Sequence, residues 1–292
     1  MLSTGAVKLR QLIKSRGIIV APGAFDAISA LVVEKAGFPC VYLSGANNAT
    51  AMLGVPDIGL VTLTEILTTA NNVVSVIDLP VIVDADQGYG NPINTMRAIR
   101  ELERAGAAAI QLEDQPFPKR CGHFDDKTVV SCDEMVMKIR AAIEARRNPD
   151  TVLIARTDAR TPLGLNEAMH RAVKYAEAGA DIIFVESPRT LDELARIAKE
   201  VPAPTLANMV EGGKTPFLKP EQLEQLGFKI AIYPASTMRA SMRAMRRVLR
   251  ELAEKGTTEA LWDDMADWNE RQEIVNLSMY KELEHKFTYT GG

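Results

Sequence analysis

A closed (β/α)₈ TIM-type barrel with a C-terminal helical extension is the α/β fold that this sequence predicts. Three observations carry the expectation. Eight short, apolar, β-branched runs recur along the chain. Helix-length segments of mixed polarity separate them. Several of those segments end on the same glycine phrase. The runs cover 17–21, 40–44, 80–84, 108–113, 152–157, 181–186, 204–208 and 229–234. None alternates strictly, as expected of parallel strands buried on both faces.

Between the runs, the phrases Glu34-Lys35-Ala36-Gly37, Glu103-Arg104-Ala105-Gly106, Glu177-Ala178-Gly179 and Gln225-Leu226-Gly227 repeat the same stop. A glycine there supplies the left-handed residue that ends a helix and turns the chain into the next strand. An open doubly wound sheet is the competing topology, but no Gly-x-Gly-x-x-Gly follows the first run. A barrel needs roughly 250 residues. That assigns 1–253 to a catalytic barrel domain and 254–292 to the extension. The extension carries Trp262, Met265, Trp268, Ile274, Leu277 and Tyr280 at helix-like spacing. Such a stripe must bury against its own barrel or a partner subunit.

The chain has 292 residues, 47% of them hydrophobic, with a formal net charge of −4. This is globular composition without the basic footprint of a nucleic-acid binder. Basic residues between Arg239 and Arg250 recur at helical spacing, as on a solvated helix face. No apolar run is long enough to span a membrane. The charged first turns do not resemble a secretory signal. Three cysteines, Cys40, Cys121 and Cys132, make no disulfide framework, which suggests a reducing, cytoplasmic setting. Cys40 opens a strand and reads as core. Cys132 lies near a helix start that Ser131 or Asp133 would cap. His170 and His285 read as helix-surface residues.

Polar side chains gather at the strand ends. Successive runs close on Ser44-Gly45, Asp84-Ala85-Asp86, Glu113-Asp114, Arg156-Thr157-Asp158, Glu186, Asn208 and Tyr233-Pro234. In a barrel of this type these ends form one mouth, where the active site lies. Asp84, Asp86 and Glu113 offer the oxygen ligands that Mg²⁺ prefers. Arg156 is able to clamp a carboxylate or stabilise an oxyanion. A structural network of Arg156 with the acids is the alternative. Backbone N–H groups after Ser44-Gly45 offer a carboxylate cradle. Beyond the fourth strand the chain reads Lys119-Arg120-Cys121-Gly122-His123. Two cations beside a cysteine favour the thiolate and tune it for proton transfer.

These phrases resemble the isocitrate lyase/phosphoenolpyruvate mutase superfamily. The resemblance spans essentially the whole chain, through Tyr42-Leu43-Ser44-Gly45, Val83 to Asn91, Leu112 to Gln115, Lys119 to His123, Ala155 to Ala159 and Ala207-Asn208-Met209. The Cys-Gly-His arrangement resembles the lyase branch. The resemblance implies a Mg²⁺ enzyme (with Mn²⁺ as a possible substitute) acting on a di- or tricarboxylic acid. It also implies a homotetramer, a dimer of helix-swapped dimers. Asp84 would be the direct metal ligand, and Asp57, Asp86 and Glu113 would hold metal-bound waters. Tyr42, Ser44, Gly45 and Gly122 would meet the substrate. Glu186, Asn208 and Pro234 would line the far pocket. Arg156 would hold the oxygen that becomes a keto group. Cys121 would be the general acid, supported by His123, with the catalytic cations Lys119 and Arg120 read beside it from the pentapeptide.

The implied reaction is carbon–carbon cleavage of a 2-hydroxy acid to an α-keto acid. The phrases Val210-Glu211-Gly212-Gly213 and Phe184-Val185-Glu186-Ser187 resemble the 2,3-dimethylmalate lyase branch. Tyr233-Pro234 with Arg239 resembles 2-methylisocitrate lyase. Oxaloacetate hydrolysis or decarboxylation, and phosphonomutase chemistry, remain open on the same site.

Overall fold

The computed structural model describes residues 4–122 and 124–288. The eight strands are β1 (Ile19–Ala24), β2 (Val41–Leu43), β3 (Val81–Asp84), β4 (Ala109–Glu113), β5 (Val152–Thr157), β6 (Ile182–Val185), β7 (Thr205–Asn208) and β8 (Ile230–Tyr233). They pair in chain order, all parallel, and β8 returns to β1 to close the barrel. The expected barrel therefore forms, and the open sheet does not. The expected bounds hold to within one or two residues except at β1. There the strand begins later and runs on through Pro22 and Gly23. Gly23 is required at that point, because a Cβ on it would lie 1.9 Å from the Pro234 carbonyl oxygen.

The helices between strands start and stop as their sequences direct. Thr62 and Glu65 form a reciprocal cap on the helix Leu63–Val74, satisfying two backbone N–H groups that would otherwise lack partners. Ser131, rather than Asp133, caps the helix Cys132–Ala145. Gly37, Gly106, Gly179 and Gly227 all adopt positive φ, between 81° and 107°.

Ile19, Tyr42, Ile82, Ile154, Ile182, Phe184, Leu206 and Ile230 fill the barrel interior. The helix Thr4–Lys14, not anticipated from the charged N-terminal sequence, inserts Leu9 into that core. Arg10 fastens this helix to the loops before β5 and β6, through the carbonyls of Asp150 and Thr151 and the carboxylate of Asp181. One mouth of the barrel is thus plugged, and the other holds the polar strand ends. Cys40 is fully buried in the core, where loss of water pushes its thiol up to about 12.

The compact units of the chain are 1–238 and 239–292. The expected boundary at 253 falls inside the helix Ser236–Lys255. Beyond it come a short 3₁₀ turn and the helices Trp268–Ile274 and Leu277–Phe287. Trp262, Trp268 and Tyr280 are each more than half exposed in the single chain. His170 and His285 are exposed helix residues, as expected. Among the described residues, no helix is long and apolar enough to cross a membrane.

Candidate active site

The strand ends surround a cavity of about 150 Å³. Tyr42, Ser44, Asp57, Asp84, Lys119, Cys121, Gly122, Arg156, Glu186, Asn208 and Pro234, all singled out in the sequence, line it. Gly45, Asp86 and Glu113 stand directly behind that lining. Asp86 faces Lys119, Glu113 faces Arg156, and the Gly45 N–H donates to Asp84 at 3.2 Å. His123 lies outside the described residues. Ala46, Asn47, Phe184, Val210, Ile232 and Ala235 complete the wall and make it largely apolar on one side.

Strand register explains the convergence. Asp84 pairs across β3 and β4 with Gln111, and Glu113 pairs across β4 and β5 with Arg156. Gln111 and Glu113 are two apart, so both face inward. Gln111 donates to Asp84 Oδ1 at 3.1 Å and accepts from the Tyr42 hydroxyl at 3.2 Å. Tyr42 therefore braces the carboxylate scaffold through Gln111.

Lys119 and Arg120, expected to tune the Cys121 thiol, also face carboxylates. The Lys119 ammonium lies 2.5 Å from Asp57 and 3.0 Å from Asp86. Arg120 is outside the cavity lining, half-exposed, with Asp126 at 3.9 Å. Ionised carboxylates attract a cation far more strongly than a neutral thiol does. Burial works against the Lys119 charge, yet Asp86, Glu113, Asp57 and Asp84 hold its pKa well above the usual lysine range.

Arg156 is the hub on the other side. It reaches Glu113 at 3.2 Å, Glu186 at 3.4 Å and Asp158 at 3.0 Å, and its guanidinium stacks over Phe184 at 5.2 Å. Burial disfavours the Arg156 charge, but Asp158, Glu113 and Glu186 hold it firmly on.

Several participants escaped sequence reasoning. Asp158 was visible in the strand-end phrase but had no assigned role. Lys127, fully buried, donates to Asp158 at 2.7 Å and to the Gly122 carbonyl at 2.6 Å. Asn47 donates to the Pro234 carbonyl at 2.5 Å and joins the ends of β2 and β8. Ser187, at φ 59°, presents its N–H to Glu186. Only three-dimensional closure brings these together.

The charge balance fits a divalent cation. Asp57, Asp84, Asp86, Glu113, Asp158 and Glu186 outnumber Lys119, Lys127 and Arg156 two to one. Burial pushes Asp86 up to about 6, with Asp84 and Asp57 adding to it against Lys119. Burial likewise raises Glu113. Both buried Glu113 oxygens lack a hydrogen-bond partner, although Oε2 is within ion-pair distance of Arg156. A Cβ on Gly45 would lie 3.0 Å from Asp86 and 3.2 Å from Asp84, so the bare Cα keeps that approach open. Among the described residues, no three His, Cys, Asp or Glu side chains close into a direct cage.

Comparison with known proteins places this geometry. Residues 9–253 match the phosphoenolpyruvate phosphomutase family. The chain is 47% identical to a 2,3-dimethylmalate lyase of Eubacterium barkeri, over 97% of this chain and 98% of that one. It is 48% identical to a 2-methylisocitrate lyase of Aeropyrum pernix, over 94% and 88% of the two chains. The structure of an oxaloacetate acetylhydrolase bound to 3,3-difluorooxalacetate superposes with a TM-score of 0.92 at 35% identity, covering 97% of each chain. A phosphonopyruvate hydrolase in complex with oxalate and Mg²⁺ superposes with a TM-score of 0.87 at 29% identity, over 97% and 99% of the chains. A chain that shares both this barrel mouth and this much sequence belongs to the isocitrate lyase/phosphoenolpyruvate mutase superfamily.

Proposed function

We propose that the protein is a Mg²⁺-dependent carbon–carbon lyase. Its substrate would be an alkylated, malate-type 2-hydroxy acid of the 2,3-dimethylmalate kind. The products would be pyruvate and a second carboxylic acid. One observation carries the reading: Cys121, Arg156 and the acidic cluster around Asp84 border the same small cavity, whose remaining wall is Phe184, Val210, Ile232, Pro234 and Ala235.

Asp84 would hold the ion directly, with Asp86, Glu113 and Asp57 reaching it through water; Mn²⁺ has the same ligand preference. When bound, the ion lowers the pKa of the substrate hydroxyl and steadies the nascent keto acid. The chain's own groups do the rest. The Ser44–Gly45 turn offers backbone N–H groups to a carboxylate. Arg156 faces the oxygen that gains negative character as the C–C bond breaks. The hydroxyl proton leaves to solvent, the electron pair of the C–C bond passes to the other fragment, and the Cys121 thiol protonates it there and regains its proton from solvent. Such a proton transfer is worth about 10²–10⁴-fold.

The wall supports one substrate class over the other. Its two cations, Lys119 and Arg156, already face carboxylates. A third substrate carboxylate beside Val210 and Ile232 would be desolvated without a donor. This favours an alkyl group over the extra carboxylate of 2-methylisocitrate. Oxaloacetate hydrolysis is a second reading, supported by the likeness to the acetylhydrolase structure. Phosphonomutase chemistry has the family match behind it.

The test is keto-acid release with Mg²⁺ and an EDTA control, offering 2,3-dimethylmalate, 2-methylisocitrate, isocitrate and oxaloacetate side by side. Metal-dependent pyruvate from the first acid is expected. Turnover of oxaloacetate alone would move the protein to the hydrolase reading. The exposed Trp268 and Tyr280 support a homotetramer of helix-swapped dimers, which light scattering in solution would test. The cytoplasmic setting is proposed from the sequence, whose three cysteines carry no disulfide framework.

A further inference from the structure

The loop carrying Cys121 leaves β4 at Asp114 and returns at Val130, whose N–H donates to the Asp114 carbonyl at 2.8 Å. Its first half is braced by Gln115, which exchanges two 2.8 Å hydrogen bonds with the backbone of Arg120. Past Cys121 the loop touches the barrel at Gly122. A Cβ on Gly122 would lie 2.3 Å from the Arg156 guanidinium, so the loop backbone rests directly on Arg156. The Gly122 carbonyl faces two donors. Ser187 Oγ lies 3.2 Å from it but also 3.1 Å from Glu186, and has one proton to share. Lys127 Nζ, at 2.6 Å, is the stronger partner.

Lys127 belongs to the same loop, and its side chain is completely buried. A lysine is almost never buried this way without a compensating partner. Here the ammonium also donates to Asp158 Oδ1 at 2.7 Å. The same oxygen accepts from Arg156 at 3.0 Å. Gly122, Lys127, Asp158 and Arg156 thus form a closed ring of contacts, and Cys121 is the next residue along the chain.

We propose that Lys127 is a positioning residue that fixes the Cys121 segment against the Asp158–Arg156 pair. It holds the proton donor at a set distance from the group that faces the developing oxyanion. The assignment of proton donor and oxyanion partner rests on the lyase reading; the mechanical link does not. Lys127 borders no part of the cavity, so it acts through Gly122 and Asp158. The exposed Lys214–Asp125 pair also joins this loop to its neighbour, but water screens it and leaves the buried link dominant.

The experiment compares Lys127→Met with wild type as full-length, Mg²⁺-loaded proteins. It measures kcat and KM on whichever acid wild type turns over, oxalate affinity, and the rate at which iodoacetamide alkylates Cys121, read by peptide mass. Cys132 serves as the internal reference. The expected result is a fall in kcat of about 10²-fold with KM and oxalate affinity within about threefold. Cys121 alkylation should speed up about tenfold, as befits losing one charge-assisted hydrogen bond. Wild-type alkylation and wild-type kcat would overturn the proposal. So would parallel losses in kcat, oxalate affinity and thermal stability with alkylation unchanged, which is the signature of a purely structural lysine. If Lys127→Met does not fold, the charge-neutral pair Lys127→Met with Asp158→Asn takes its place under the same criteria. Should wild type turn over none of the acids, the lyase reading fails while the alkylation arm still decides the role of Lys127.

Discussion

Arg156 and Asp158 lie side by side at the end of β5. The Arg156 NH2 donates to Asp158 Oδ1 at 3.0 Å, and Nε lies 3.0 Å from Oδ2. The second contact is an ion pair without hydrogen-bond alignment. Burial opposes the Asp158 charge, but Arg156 and Lys127 overcome it and hold the carboxyl below its ordinary 3.8. A group depressed in this way contributes stability that is fully present above 3.8 and is lost as pH falls through the folded value. Replacing Asp158 by Ala leaves two cations buried without their shared anion. We predict a loss of about 3–5 kcal/mol in urea unfolding at pH 7. The gap between wild type and variant should close as pH drops below 4. A pH-independent gap would show that Asp158 matters for packing rather than charge.

Gln111 is predicted to tune the metal site without touching it. It fixes one oxygen of Asp84 while the Gly45 N–H meets the other. Removing such an outer partner commonly costs 10–100-fold in metal affinity. Gln111→Leu should therefore weaken Mg²⁺ binding by roughly that factor, measured by calorimetric titration. The oxalate complex, formed at saturating metal, should survive. Unchanged metal affinity would remove Gln111 from this role.

How much of this was legible in the sequence depends on what kind of information each feature needs. The barrel was legible because eight buried parallel strands and glycine helix stops are local signals. Asp84, Glu113, Arg156 and Glu186 were legible because each ends a strand, and strand ends meet at one mouth. The direction of Lys119 was not, since its neighbour Cys121 is close in sequence while Asp57 and Asp86 are close only after folding. Gln111 hid inside an apolar strand, and Lys127 looked like one more loop lysine. The N-terminal plug was missed because its helix hides Leu9 among charges.

Metal binding should be linked to pH through Asp86. Burial lifts its pKa from 3.8 to about 6, with Asp84 and Asp57 contributing and Lys119 opposing. The unfolded chain gives up this proton first as pH rises. In that window the folded state binds more protons, so this group lowers metal-free stability between about 3.8 and 6. Metal needs the deprotonated form, so binding releases the proton. The prediction is a larger rise in Tm on adding Mg²⁺ at pH 7.5 than at pH 5.5. Equal shifts at both pH values would place the titration elsewhere.

Cys121 is half-buried at the cavity edge. If its thiol supplies the proton that ends the reaction, Cys121→Ser should cut turnover by about 10²–10⁴-fold. A serine hydroxyl holds its proton far more tightly than a thiol. The serine fits the same space, so oxalate and Mg²⁺ should bind as in wild type. Robust turnover by this variant would remove the cysteine from the chemistry.

Val210 tests the substrate reading from the opposite wall. It lines the cavity with Ile232 and Pro234 and brings no hydrogen-bond donor to that side. Val210→Thr keeps the volume close to constant and adds one hydroxyl. That hydroxyl can donate to a carboxylate but gives nothing to a methyl group. The ratio of kcat/KM for 2-methylisocitrate over 2,3-dimethylmalate should rise about tenfold, the scale of a single pocket contact. The absolute rate on 2,3-dimethylmalate should fall, because the hydroxyl must be desolvated against an alkyl group. A ratio that does not move would mean that Val210 does not face the discriminating end of the substrate, and the specificity would have to be sought around Asn208 and Glu186 instead.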